Sequence, residues 1–158
     1  MRELNFNLQN LEATRLFANQ LSATLKTGDI ITFEGTLGAG KTEFCRALIH
    51  AIGYHEDVPS PTFSLLQTYE PELDDQQKPA IWHFDLYRLE NSEDVLELGI
   101  EDGFDTAITL IEWPDKMGSY LPDGHLKIML SMGDDEGSRN IKIICDDYWA
   151  IRLKDLKV

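Results

Sequence analysis

Basic residues are scarce in this sequence. Its 158 residues include 14 Lys and Arg against 28 Asp and Glu, which gives a formal net charge of −14. A protein that binds nucleic acid on its own presents a basic surface that displaces counterions, so this charge argues against direct nucleic-acid binding. The acidic balance favours solubility and a basic protein partner instead.

Cysteines and long apolar runs are also scarce. The only cysteines, Cys45 and Cys145, form neither a CxxC motif nor a disulfide framework, which indicates a reducing cytoplasm. No apolar run approaches the ~20 residues of a membrane span, and the N-terminal MRELNFNLQN lacks the apolar stretch of a secretory signal. The length predicts a single domain over residues 1–158.

The hydrophobic pattern predicts a βαβ-type beginning followed by a mostly β second half. Asn10 and Gly28 are the expected limits of the first helix. The other predicted helices span 43–52 and 93–98, and the predicted strands span 4–8, 29–34, 63–69, 81–87, 107–111, 126–130 and 141–145. We therefore expect one α/β domain of the P-loop NTPase class, with a central mixed β-sheet flanked by helices and a β-rich C-terminal half.

A glycine-rich stretch joins the strand at 29–34 to the helix at 43–52, and it fits the Walker A pattern GxxxxGK[ST]. In such a loop backbone N–H groups cradle phosphate oxygens, the lysine reaches the β- and γ-phosphates, and the hydroxyl ligates Mg²⁺. The candidate nucleotide-binding residues are Gly35, Thr36, Leu37, Gly38, Ala39, Gly40, Lys41, Thr42 and Glu43. Lys41 is also a candidate catalytic residue, and Thr42 is a candidate metal ligand.

Two acidic residues are candidates for the metal and for catalysis. Glu112 follows the apolar run 107–111, where a Walker B acid would stand, and Asp85 alternates with apolar residues in 82–88. We assign Glu112 as a ligand of Mg²⁺, directly or through water. Asp85 would polarise the attacking water or support the metal. The alternatives are a surface acid for Glu112 and an exposed strand face for Asp85.

Four other residues stand near these motifs. Thr62, within 60–63, is a candidate contact to Mg²⁺ or the γ-phosphate, and a rigid proline turn is the equal alternative. Arg88 is either an internal stabiliser of phosphate charge or a surface residue. We expect His83 to act in packing or hydrogen bonding rather than as a base, and Trp113 to lie in the core.

Four motifs in this order resemble the TsaE (YjeE) family, the small bacterial ATPases of tRNA threonylcarbamoyladenosine biosynthesis. They are residues 35–42, residues 60–63, His83-x-Asp85-x-Tyr87-Arg88 and Ile111-Glu112-Trp113-Pro114. The resemblance covers nearly the whole chain. By motif, it implies that Lys41 and Thr42 hold phosphate and metal, that Asp85 and Glu112 serve metal and hydrolysis, and that Thr62 lies in a switch-like segment.

The resemblance also implies the biological setting. The protein would bind and hydrolyse ATP with Mg²⁺ and be needed for modification of adenosine 37 in tRNAs that read codons beginning with A. TsaD, in a complex with TsaB, would carry out the transfer, so contact with tRNA would be indirect.

Two other functions are compatible with a phosphate loop. A small-molecule kinase usually adds an arginine-bearing lid, but the insert at 70–79 contains no arginine. A GTP-dependent switch protein would need a guanine-reading NKxD sequence, and none occurs in the chain.

Overall fold

A seven-stranded mixed sheet runs through the structure, a computed structural model that describes residues Met1–Val158. Its strands are β1 (Arg2–Leu8), β2 (Ile30–Glu34), β3 (Leu66–Tyr69), β4 (Ala80–Asp85), β5 (Ala107–Glu112), β6 (Leu126–Met132) and β7 (Arg139–Cys145). The order across the sheet is β1-β7-β6-β2-β5-β4-β3. The central neighbours β6, β2, β5 and β4 pair in parallel, while β1, β7 and β3 are added through antiparallel pairs.

Helices cover both faces of this sheet. They are α1 (Leu11–Ser22), α2 (Lys41–Ile52), α3 (Ile100–Thr106) and α4 (Asp147–Arg152), with two 3-10 helices at Ser92–Leu98 and Pro114–Tyr120. The prediction of a single α/β domain with a mixed sheet flanked by helices is confirmed. None of the helices has the length and apolar character needed to cross a membrane.

Two apolar cores hold the layers together. The larger, of 25 buried residues, joins α1 and α2 to the sheet, and the smaller, of seven, lies on the opposite face beneath the 3-10 helices. All six residues of β5 are buried, as expected for a central parallel strand covered on both faces. In the larger core the ring of Phe44 on α2 lies 5.8 Å from that of Phe33 on β2. This packing fixes the start of α2 beside the end of β2.

The first helix is shorter than predicted: it ends at Ser22 rather than near Gly28. The carboxylate of Asp29 accepts a hydrogen bond from the backbone N–H of Lys26 at 2.8 Å and forms a bidentate pair with Arg152 of α4. These contacts hold the intervening residues in a turn. The arginine is 123 positions away, so no local pattern could reveal this cause.

Two predicted strands are also shorter in the structure. The strand predicted at 63–69 begins only at Leu66, because Leu65 has a positive φ of 66° and donates its backbone N–H to the carbonyl of Pro61. The strand predicted at 81–87 ends at Asp85. The sequence pattern did not predict α3, α4 or the 3-10 helix at Pro114–Tyr120, which interrupt the predicted β-rich half.

Candidate functional site

The glycine-rich loop follows β2 directly and turns into α2, as its sequence requires. Gly35 passes so close to β6 that a Cβ on it would lie 2.6 Å from the carbonyl oxygen of Leu130. Gly40, which precedes α2, has a φ of 99°, a conformation that other residues rarely adopt. Glycine is therefore required at both ends of the loop for physical reasons.

The N-terminus of α2 presents unused backbone donors. The N–H groups of Gly40, Lys41, Thr42 and Glu43 donate to no backbone acceptor. Aligned N–H groups at a helix start carry about half a positive elementary charge and form a ready anion site. The N–H of Ala39 differs, since it donates to the carbonyl of Thr36 at 3.1 Å within the loop.

Lys41 is buried at the base of the loop. Its ammonium donates to the carbonyls of Gly35 at 2.6 Å and Thr36 at 3.0 Å, and it lies 4.2 Å from the centre of the Trp113 ring. Burial lowers the pKa of Lys41, and the negative charges of Glu112 and Asp85 oppose that shift. The lysine forms no ion pair with either carboxylate. Two of its three N–H donors are used by the loop carbonyls, which leaves one N–H for a ligand.

Glu112, at the end of β5, is 2% exposed and accepts hydrogen bonds from two directions. The Thr42 hydroxyl lies 2.9 Å from one carboxylate oxygen and 3.1 Å from the other. His83 Nε2 lies 2.7 Å from Oε2. The predicted Walker B acid and the predicted metal-binding hydroxyl are thus in direct contact.

Asp85, at the end of β4, is paired with Glu112 in the register of the parallel strands and is 4% exposed. Its Oδ2 accepts a 2.9 Å hydrogen bond from the Thr62 hydroxyl, and its Oδ1 accepts from the backbone N–H of Tyr87. The Ser60 hydroxyl lies 2.6 Å from that of Thr62. Hydrogen bonds through Thr62 therefore connect the segment 60–63 to the carboxylate of Asp85.

These groups surround one open pocket of about 280 Å³ at the carboxyl ends of β2, β4 and β5. Its lining comprises Leu37, Gly38, Gly40, Lys41, Thr42, Glu43, Thr62, Asp85, Glu112, Trp113 and Arg139. Three of the predicted nucleotide-binding residues, Gly35, Thr36 and Ala39, do not line it. Ala39 is 1% exposed and packs its methyl group into the core.

Trp113 and Arg88 differ in how they relate to this pocket. Trp113, expected in the core, is half-buried, packs against the smaller core and also forms a wall of the pocket beneath Lys41. The guanidinium of Arg88 lies outside the pocket lining and stacks 4.5 Å from the ring of Phe63, which is 82% exposed. In this conformation Arg88 is a surface residue.

Arg139 belongs to the site although no sequence motif predicts it. This first residue of β7 lines the pocket, and its Nε would lie 3.0 Å from a Cβ placed on Gly40. It also borders an adjoining pocket of about 330 Å³, lined by Leu11, Thr14, Gly40, Glu43, Phe44, Leu130, Gly137 and Arg139. No local pattern marks a single arginine at the start of a strand as part of a site. Arg139 reaches the loop only because β7 lies next to β6, and β6 next to β2, in the sheet.

A larger cavity lies elsewhere but lacks comparable chemistry. It measures about 480 Å³ on the surface of β1, β6 and β7, and Lys142 is its only ionisable residue. The smaller pocket combines a helix N-terminus, a lysine, a hydroxyl and two buried carboxylates at the carboxyl ends of parallel strands. Ligands of open α/β sheets bind at that edge. We therefore take the smaller pocket as the candidate site.

Together, the mixed α/β sheet and the Walker A loop between β2 and α2 define a protein of the P-loop NTPase fold class. The family model described as "Threonylcarbamoyl adenosine biosynthesis protein TsaE" matches residues 8–141. The chain belongs to the TsaE family.

Several curated relatives and one solved structure agree with this assignment. The chain is 40% identical over 131 residues to the tRNA threonylcarbamoyladenosine biosynthesis protein TsaE of Rickettsia bellii, covering 82% of this chain and 87% of that protein. It is 35% identical to the protein of the same name from Bacillus subtilis, over 86% of this chain and 83% of the relative. The crystal structure of Bacillus subtilis YdiB has a TM-score of 0.76 and 24% identity, covering 98% and 94% of the two chains, and it supports the fold.

Proposed function

We propose that this protein binds ATP with Mg²⁺, hydrolyses it slowly, and is required for the threonylcarbamoyladenosine modification at position 37 of tRNAs that read ANN codons. The observation that carries the proposal is the contact between Thr42 and Glu112, 2.9 Å apart at the mouth of the phosphate loop. Walker A and Walker B groups meet in this way where a metal-bound triphosphate is held. The family assignment supplies the biological process.

The residues around the pocket fit a magnesium ion. Mg²⁺ prefers oxygen ligands, and the pocket offers the Thr42 hydroxyl and the carboxylates of Glu112 and Asp85. Thr42 would bind the metal, and Glu112 would hold it directly or through water. Asp85 would bind it or support it from further out. Mg²⁺ would neutralise the charge that builds up on the phosphates during transfer.

The residues of the chain have separate tasks in the proposed hydrolysis. The free N–H groups of Gly40 to Glu43 would bind phosphate oxygens, and Lys41 would direct its third N–H at the β- and γ-phosphates. Asp85 would accept a hydrogen bond from the attacking water and orient it. Thr62, which donates to Asp85 at 2.9 Å, would hold that carboxylate in place or contact the γ-phosphate itself.

The adjoining pocket supports a place for the base. It shares Gly40, Glu43 and Arg139 with the phosphate site, and apolar groups of Leu11, Phe44 and Leu130 line it. A flat aromatic base suits an apolar pocket next to a phosphate site. We expect adenine there, with Arg139 at the junction between base and phosphates.

The small number of cations around the pocket supports the proposed dependence on partners. Only Lys41 and Arg139 supply positive charge to it, and Arg88 is held outside on Phe63. P-loop enzymes that lack an arginine at the γ-phosphate hydrolyse slowly, and a supplied arginine accelerates them by about 10³–10⁵. TsaD and TsaB are the proposed partners, in the cytoplasm, and tRNA would be reached only through them.

The substitution Lys41→Ala tests the ATP site. It removes a charge-assisted hydrogen bond of about 1.5–3 kcal/mol to phosphate, so we expect ATP affinity to fall by about 10–150-fold. Isothermal titration with MgATP measures the effect. Lys127→Ala is the matched control, because Lys127 lies on β6 outside the pocket and pairs with Glu34 at 3.0 Å. Unchanged ATP binding by Lys41→Ala would refute the assignment of the loop.

The reaction itself is tested by single-turnover hydrolysis with and without the TsaB–TsaD pair. We expect orthophosphate as the product and a faster rate with the partners. Equal rates would refute partner activation. Phosphate transferred to a nucleoside or metabolite would show a kinase instead.

A further inference from the structure

His83 is the least accounted for of the polar groups around the site. It lies on β4, two residues before Asp85, and its side chain is fully buried. Its Nε2 lies 2.7 Å from Glu112 Oε2, whereas its Nδ1 has no hydrogen-bond partner. A buried polar ring with only one satisfied nitrogen is costly, so that one contact calls for an explanation.

The contact has the geometry of a hydrogen bond rather than of a metal site. Cys45 Sγ, a His83 nitrogen and a Glu112 oxygen lie within 4.8 Å of one another, which superficially suits a transition metal. Two ligand atoms at about 2.0–2.1 Å from one tetrahedral zinc would stand about 3.3 Å apart. The separation of 2.7 Å between His83 and Glu112 is too short for that, and it fits N–H donation to a carboxylate.

We propose that His83 is a positioning residue that fixes the carboxylate of Glu112 for Mg²⁺. This inference rests on the proposed function. The carboxylate accepts from His83 at Oε2 and from the Thr42 hydroxyl, most closely at Oε1. These two donors fix the plane of the carboxylate, and Oε1 keeps a lone pair for the metal side of the pocket. Partners that orient a metal ligand in this way matter nearly as much as the ligand.

The same hydrogen bond has a second effect, on Lys41. Burial lowers the pKa of Lys41, and the nearby negative charge of Glu112 opposes that shift, yet the two side chains form no ion pair. A carboxylate that His83 did not hold would be free to turn towards the ammonium. His83 would therefore keep the Glu112 carboxylate available to Mg²⁺ and leave the third N–H of Lys41 available for phosphate.

The test compares two variants by the binding of a fluorescent ATP analogue, with Mg²⁺ and with EDTA. His83→Leu keeps the bulk but removes the donor, and His83→Gln places an amide N–H near the position of Nε2. We expect His83→Leu to reduce the gain in affinity due to Mg²⁺ by about 10–100-fold. We expect His83→Gln to keep that gain within about threefold of the unaltered protein.

Thr109→Val is the matched control for a disturbed core. Thr109 is fully buried on β5, three residues before Glu112, and its hydroxyl has no partner. The Thr109→Val variant should leave unchanged the gain in affinity for the ATP analogue that Mg²⁺ provides. A general structural defect would lower affinity equally in both buffers, whereas loss of positioning lowers it selectively with Mg²⁺. An equal loss of the Mg²⁺ gain in the leucine and glutamine variants would overturn the proposal, as would a full gain in His83→Leu.

A measurement on the unaltered protein keeps the proposal testable if His83→Leu does not fold. Long-range proton–nitrogen NMR should find the His83 imidazole with its proton on Nε2, and a proton on Nδ1 alone would overturn the proposal. The same binding assay separates failure of the ATP site from failure of the His83 role. No ATP binding in either buffer defeats the proposed function, whereas ATP binding whose Mg²⁺ gain survives in His83→Leu defeats only the role of His83.

Discussion

Replacing Gly35 by alanine tests whether contact with β6 fixes the path of the phosphate loop. The added Cβ would lie 2.6 Å from the carbonyl oxygen of Leu130 and 3.1 Å from the Cβ of Ala39. Carbon and oxygen in weak contact stay about 3.3 Å apart, so the loop and β6 must separate by about 0.7 Å. Overpacking of this kind costs about 1–3 kcal/mol, and the positive φ of 154° adds about 1 kcal/mol.

We expect Gly35→Ala to lower the free energy of unfolding by about 3 kcal/mol, which lowers Tm by about 6–12 °C in a domain of this size. Thermal unfolding followed by circular dichroism measures the change. Gly38→Ala is the matched control in the same loop, because Gly38 also has a positive φ, 82°, but a Cβ on it meets no atom within 4 Å. It should cost only the conformational part, about 1 kcal/mol, or about 2–4 °C.

The comparison between the two variants decides the matter. If Gly35→Ala and Gly38→Ala unfold at the same temperature, the contact with Leu130 does not constrain the loop, and this explanation of the path of the loop is wrong. If Gly35→Ala alone is destabilised and also binds MgATP more weakly, the position of β6 and the shape of the phosphate site are coupled through this one residue.

Two further predictions concern stability. Burial raises the pKa of Tyr54 to about 12, so between its ordinary value of about 10 and that value the unfolded chain loses this proton first. Stability should therefore fall as pH rises through this window, and urea titrations should show a smaller fall in Tyr54→Phe; an identical fall would contradict the assignment. Arg152→Ala should cost about 3 kcal/mol, because it leaves the carboxylate of Asp29 buried and without its partner. Denaturant unfolding measures that loss, and a change below about 0.5 kcal/mol would show that the pair contributes nothing.

The sequence predicted the local part of the molecule well. The strand before the loop, the Walker A loop and the helix after it form within 24 residues, at Asp29 to Ile52, and their signals are local: β-branched residues, glycines and a helical period. The structure also brings Thr62, Asp85 and Glu112 to one pocket with Lys41 and Thr42. Their chemical roles stay predictions.

What the sequence did not predict depends on contacts between distant segments. The early end of α1 depends on Arg152, and the place of Arg139 at the loop depends on the order of three strands. Trp113 turns towards the pocket because it follows β5 with a φ of 59°, which no propensity predicts for a bulky residue. For α4 a signal existed, since the side chain of Asp146 caps it by accepting from the N–H of Trp149.

The position of β2 in the sheet has a consequence for synthesis of the chain. Its two neighbours, β5 and β6, end at Glu112 and Met132, so the strand that carries the phosphate loop has no partner on either side while they are still unmade. Between Glu34 and Glu112, the end of β5, a ribosome needs about 4–16 s at ordinary rates. Until β5 is complete, Ile31 and Phe33 have no sheet to enter, so the candidate site is completed late and this apolar strand stays exposed during synthesis.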